Sequence, residues 1–139
     1  MDLVQLGQLE LTYQTLEALD YGVGRQFYGT LTGSISGDRL GGGLDVTNLA
    51  VGRPDGVNVP SIRGILTTRD DAEIWVEIDG IATLRQTDDA RVVVTSVRFR
   101  TGDERYLWLN TVLAVLEGVL NTETGVARGQ LWECRPTVN

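Results

Sequence analysis

Two residue types are missing from the 139-residue chain: it has no histidine, and all 12 basic residues are arginine, so it has no lysine either. These absences exclude Ser-His-Asp and Cys-His nucleophile systems, a lysine Schiff base, a phosphate-loop lysine and histidine metal ligands. Catalysis, if the chain performs any, must use Asp, Glu, Tyr, Ser, Thr or Arg. The one cysteine, Cys134, cannot close an internal disulfide or form a metal cluster, so no metal and no cofactor are expected. No apolar run approaches the roughly 20 residues of a membrane-spanning helix. A net charge of −7 without a basic block argues against nucleic-acid binding and against a polybasic membrane contact. The opening "MDLVQLGQLELTY" lacks a basic region followed by an apolar stretch, so no secretory leader is expected and the cytoplasm is the expected location.

What is present points to strands. The length fits one domain, which buries roughly two-thirds of its unfolded surface. Seventeen glycines against 3 prolines suit strands that bend, bulge and approach closely. "LELTY" alternates, with Leu9, Leu11 and Tyr13 on one face, and "RQFYGTLTGSI" repeats the pattern with Phe27, Leu31 and Ile35 together. "SGDR", "RPDG", "RDDA" and "NTETG" read as turns between such runs. "RVVVTSVRFR" is the strongest strand by β-branched content. "YLWLNTVLAVLEGVL" is ambiguous, because Leu109, Val112, Leu113, Leu116 and Leu120 lie near helical spacing. Seven or eight short strands with turn glycines between them predict an all-β fold, an antiparallel barrel or sandwich.

"FRTGDERYLWLN" resembles the most distinctive motif of the bacterial and fungal family catalogued as domain of unknown function number 3237. "GVGR" at 22–25, "TGSISGDRL" at 32–40, "RPDG" at 53–56, "TTRDDAEIWV" at 67–76 and "GQLWE" at 129–133 agree in the same order. The resemblance implies a closed antiparallel β-barrel, calycin-like or allene-oxide-cyclase-like, with little helix and a strand over 111–120. It implies no particular activity. Members commonly carry an Asp-Trp pair where Asn48 and Leu49 stand here, and often an arginine where this chain has Glu77 and Asp79. In such a barrel "TGDERY" is a connection, with Asp103 bonding nearby N–H groups, Tyr106 and Trp108 closing one end, and Asn110 satisfying a loop carbonyl.

Strand parity sorts the candidate site. If the more apolar faces point inward, the lumen holds Tyr13 and Thr95 among Leu9, Leu11, Val93 and Val97, with Glu133 added if Leu131 points in. A carboxyl there has a raised pKa and serves as a general acid. The opposite parity places Trp75, Glu77, Arg98 and Trp132 inside, with aromatic walls around a charge pair. Glu77 and Glu133 are therefore the candidate acids, and Tyr13, Trp75, Thr95, Arg98 and Trp132 the candidate ligand contacts. The expected function is a cofactor-independent cyclase, dehydratase, isomerase or lyase acting on an apolar small molecule. The alternatives are a non-catalytic small-molecule barrel and an oligomeric interaction module. A lumen carboxyl favours the enzyme, a lumen without one the binder, and a filled lumen the interaction module. Strands apolar on both faces, "RVVVTSV" and "TVLAVLEGVL", predict a homodimer.

Overall fold

A computed structural model describes residues 1–139. The strands are β1 (Asp2–Asp20), β2 (Arg25–Ser36), β3 (Gly42–Asn48), β4 (Val51–Gly52), β5 (Asn58–Val59), β6 (Ser61–Thr68), β7 (Glu73–Leu84), β8 (Arg91–Arg100), β9 (Leu113–Asn121) and β10 (Val126–Arg135), with one 3-10 helix, Glu104–Thr111, between β8 and β9. The long strands pair antiparallel in chain order, and β10 returns to β1 with Asp2 opposite Arg135 and Thr12 opposite Val126. The result is a closed antiparallel barrel of eight strands. The two-residue strands β4 and β5 form a flap between β3 and β6, tied to β2 at Arg25–Gln26 and to β7 at Ala82. No helix is long and apolar enough to cross a membrane.

Alternation decides which face is the lumen. Leu9, Leu11, Leu31, Leu66, Ile74, Val76, Ile78, Val97 and Phe99 are all buried inside, as the apolar-face parity expects. Trp75, Glu77, Arg98 and Trp132 consequently lie on the outer surface. β1 is long enough to serve two neighbours. It bonds β10 up to Thr12 and β2 as far as Asp20, with irregularities at Gln5/Gly7 and Tyr13/Thr15 that let it curve. Beyond Tyr13 it pairs with β2 alone, so a hairpin stands above the barrel end.

The ambiguous leucine-rich segment is split. Residues 104–111 are a 3-10 helix and Leu113–Asn121 is a strand, which agrees with the family expectation over most of 111–120. Asp103 starts the helix by accepting the Arg105 backbone N–H at 3.0 Å. Asn110 locks its end to Thr101, accepting that residue's N–H and donating to its carbonyl, both at 2.8 Å. Between these anchors Leu109 is driven into the core at 0% exposure. Tyr106 and Trp108 pack beside it, the former donating to Asp70 at 2.8 Å, the latter with Arg39 stacked at 4.7 Å. One end of the barrel is thereby plugged. Leu109→Ala should lose about 2–5 kcal/mol, the usual cost of emptying a close-packed leucine site. Leu107→Ala, on the exposed side of the same helix, should change stability by less than about 0.5 kcal/mol. Urea unfolding of both variants measures the difference.

Candidate functional site

On β7 and β10 the inward side chains shrink from the plugged end toward the other. Near the plug the lumen is filled by Leu66, Ile74, Val76, Phe99 and Leu131. Further along the same strands stand Gly80 and Ala82 on β7, Gly118 on β9 and Ala127 on β10. Gly80 is there for closeness as well as volume, since a Cβ would meet the Val94 carbonyl oxygen at 2.2 Å. Eight strands fix the barrel's girth, so small inward residues leave space. The space is a cavity of about 300 Å³ at the end opposite the plug, walled mainly by leucine, isoleucine, alanine, Phe27 and Pro60. Its polar side chains are Tyr13, Asn48, Asn58, Arg91 and Thr122, and none of its lining residues is Asp or Glu.

Tyr13 and Asn48 form the centre of this polar set. The Asn48 side-chain carbonyl accepts the Ser61 backbone N–H at 3.1 Å. That bond fixes which end of the amide is which, so its NH₂ donates to the Tyr13 hydroxyl oxygen at 2.9 Å. With its oxygen engaged as acceptor, the phenol keeps its own proton for another partner. Burial pushes the Tyr13 pKa up, and the Asn48 bond offsets this only in part, so the phenol is neutral at ordinary pH. Gly29 makes the geometry possible. A Cβ at that position would lie 2.8 Å from Cε1 of the Tyr13 ring and 2.9 Å from the Thr15 carbonyl oxygen, so the ring can cross β2 toward Asn48 only over a glycine.

Thr95 also faces inward, one step below Val93 and opposite Gly80 and Leu116. It is 3% exposed and its hydroxyl has no hydrogen-bond partner. A buried polar group left alone costs about 1–3 kcal/mol, and this hydroxyl lies beneath the cavity wall rather than on it.

The two candidate acids lie elsewhere, and their pKa values move the wrong way for the role. Glu77 is on the outer face, its side chain 13% exposed beneath Arg100 at 2.8 Å, Arg98 at 3.2 Å and Arg63 at 3.8 Å. The Trp75 indole N–H, together with those arginines, holds its carboxyl below the ordinary value. Trp75 and Arg98 thus serve an outer ion-pair cluster, and Trp132 lies half-buried on the outside of β10. Leu131 does point in, and Glu133 follows it at the plugged end, bonded to Arg39 at 2.5 Å and Arg135 at 3.1 Å. Burial pushes Glu133 up, but the bonds from Arg39 and Arg135 outweigh it, and its carboxyl too sits below the ordinary value. The expected raised pKa is therefore corrected: Glu77 is held down by the Trp75 indole and its arginines, and Glu133 by Arg39 and Arg135.

Of the expected contacts, only Tyr13 lines the cavity, with Thr95 beneath it. Asn48 and Arg91 were missed as site residues because each stands at a strand end, where alternation is hard to follow past a turn. Parity carried the signal. Asn48 shares a face with Leu44 and Val46, and Arg91 with Val93 and Val97.

The barrel is similar to several solved structures. A β-barrel-like protein from Acinetobacter baumannii superposes with a TM-score of 0.87 at 16% identity, with 96% of each chain covered. A protein of unknown function from Clostridium acetobutylicum gives 0.83 at 20% identity, covering 95% of this chain and 97% of its own. An enzyme from Penicillium herquei gives 0.73 at 24% identity, covering 96% and 94%. No curated protein matches the sequence. The model of a family described as "Protein of unknown function (DUF3237)" matches residues 24–131.

The Tyr13 environment has a signature in alkali. A phenol whose pKa is raised on folding contributes stability that is complete below the ordinary value of 10.0 and is lost as the pH climbs through its higher folded value. Wild-type protein should therefore lose stability relative to Tyr13→Phe above about pH 10, as followed by urea unfolding at stepped pH. Gly29→Ala, which forces the ring away from Asn48, should shift the Tyr13 part of the tyrosinate absorbance titration. A Tyr13 titration unmoved by Gly29→Ala would contradict the crossing over Gly29.

Proposed function

We propose that this chain, which belongs to the DUF3237 family of proteins of unknown function, is a small-molecule-binding barrel that takes an apolar metabolite into its lumen and orients it by the Tyr13 hydroxyl. The observation that carries the reading is an open apolar cavity of about 300 Å³ with a small convergent polar set and no carboxylate on its wall. Apolar walls with a few placed polar groups are the usual composition of a ligand site. The walls supply affinity without direction, and the Tyr13–Asn48 pair supplies direction by donating to one oxygen of the ligand. The test uses the neutral fluorescent probe N-phenylnaphthylamine. Saturable binding at one site per chain is expected. Ala82→Phe, which projects a ring into the cavity, should abolish it while the fold is retained. Glu77→Gln and Glu133→Gln should leave it unchanged. Full binding to the Ala82→Phe variant would show that the lumen is not the site.

The Tyr13–Asn48 pair also favours a second reading, a cofactor-independent enzyme. A neutral phenol whose proton is free to point into an apolar cavity can stabilise negative charge developing on a substrate oxygen. Cyclisation or isomerisation of a carbonyl compound suits such a donor, and the structural neighbour from Penicillium herquei is an enzyme. In this reading Tyr13, not Glu77 or Glu133, is the group that acts. Loss of one such donor costs about a hundred- to a thousandfold in rate. Tyr13→Phe should therefore cut turnover of a processed ligand by that factor while weakening its binding by no more than about tenfold. Turnover undiminished in Tyr13→Phe would end the catalytic reading and leave the binding one.

We also propose that two copies associate through the outer face of β8–β10, where Val94 and Leu113 are exposed and Trp132 and Val115 half-buried side by side. Light scattering at micromolar concentration should give twice the chain mass of 15.2 kDa. A monomer mass would refute the pairing.

A further inference from the structure

We propose that the ligand of the lumen is an organic acid, its apolar body inside the barrel and its carboxylate held at the mouth by Arg91. The inference rests on the cavity being the ligand site and adds the charge of what enters it. Arg91 opens β8 on the same face as Val93 and Val97, so its side chain belongs to the lumen, where it forms part of the cavity wall. Nine of the 12 arginines make ion pairs; Arg25, Arg69 and Arg91 make none, and of these three Arg91 alone lines the cavity. The acids flanking Arg91 in sequence and in the flap do not pair with it. Asp88 is bound to Arg85 at 2.6 Å, Asp55 is bound to Arg53, and Asp89 makes no pair with Arg91.

With no Asp or Glu on the wall, the cavity is positive inside a chain of net charge −7. A half-buried guanidinium without a counter-charge favours an anion from outside. The Arg91 guanidinium donates to the Gly56 carbonyl in the β4–β5 flap, which fixes its position and uses one of its five donors. The remaining donors match the two oxygens of a carboxylate side by side. Arg91 stands three strands round the ring from both β1 and β3, so it faces Tyr13 and Asn48 across the lumen. A ligand whose carboxylate is at Arg91 thus presents its body to the phenol on the opposite wall.

Matched probes test the charge preference. Decanoate and decanol share a chain and differ in the head, and naphthoate and naphthalenemethanol form a rigid pair. Each is titrated calorimetrically and by displacement of N-phenylnaphthylamine. Wild-type protein should bind the acid about tenfold more tightly than the alcohol in at least one pair, since a charge-assisted bond is worth about one decade of affinity. Arg91→Gln should erase that preference by weakening the acid alone, Arg91→Lys should keep part of it, and added salt should narrow it. Equal affinities for acid and alcohol in the wild type would overturn the proposal. So would a parallel loss of both in Arg91→Gln, which would assign Arg91 only to holding the flap through Gly56. If N-phenylnaphthylamine binds but neither member of either pair displaces it, the organic-acid assignment falls and the cavity remains the site. If N-phenylnaphthylamine and both pairs all fail to bind, the cavity reading falls first and this inference with it.

Discussion

The ladder between the first strand and the last, from Asp2 opposite Arg135 to Thr12 opposite Val126, turns a meander into a ring. An open sheet of these strands would leave two edges with unpaired N–H and carbonyl groups. Once β10 meets β1, each long strand has a neighbour on both sides, and the ring sets the girth of the interior. From then on, the size of each inward residue determines how much of the lumen is solid. Leu66, Ile74, Val76, Phe99 and the Leu109 plug fill one end, whereas Gly80, Ala82, Gly118 and Ala127 leave the other hollow. The cavity is a consequence of closure combined with small inward residues on β7, β9 and β10, and its mouth is completed by the β4–β5 flap and the β1–β2 extension.

The length of β1 links that closure to the site. Its first part is committed to β10 and β2 together, while beyond Tyr13 it has β2 alone. Tyr13 stands where the two regimes meet. Its backbone N–H leaves the β10 ladder and donates to the Gly125 carbonyl in the β9–β10 turn at 3.0 Å. The strand irregularity at Tyr13/Thr15 turns the chain there, and the ring swings across Gly29 to Asn48. Leu16 continues up the hairpin and still lines the cavity, so the extension of β1–β2 raises one wall of the mouth. The functional group and the wall above it come from the same local departure from regular pairing.

Much of the fold could be read from residue order, because a lumen-facing strand has to repeat every second residue. Leu9–Leu11–Tyr13 and Phe27–Leu31–Ile35 each kept one face, and the turns at "RPDG" and "NTETG" came where glycine adopts positive φ, at Gly56 and Gly125. The 3-10 helix was hidden because leucines at 109, 113, 116 and 120 satisfy a helical period and a two-faced strand alike. Only the anchors of Asp103 and Asn110 on neighbouring backbone decide where helix stops. Charge was the harder signal. Glu77 was a lumen acid only under the parity that turns Trp75, Arg98 and Trp132 inward, and the burial of Val76 and Ile78 selects the other parity. The cavity itself could not be read, since its place depends on which small residues from three different strands fall at one height.

The distribution of charge follows from the same ring. An ionised carboxylate enclosed by apolar walls would cost several kcal/mol unless a cation accompanied it, and this chain meets that constraint by placing its acids outside. Glu77 lies under Arg63, Arg98 and Arg100 from the two neighbouring strands, and Glu133 between Arg39 of the β2–β3 loop and Arg135 of its own strand. With lysine absent, every such partner is a guanidinium, which can bond a carboxylate and stack on an aromatic ring in one pose, as Arg39 does between Glu133 and Trp108. The lumen is left to neutral groups, a phenol, two amides and two hydroxyls, which can direct a ligand without the desolvation cost of a buried charge. Arg91 departs from that arrangement at the rim, where half-exposure makes an unpaired cation tolerable and where an entering molecule meets it first.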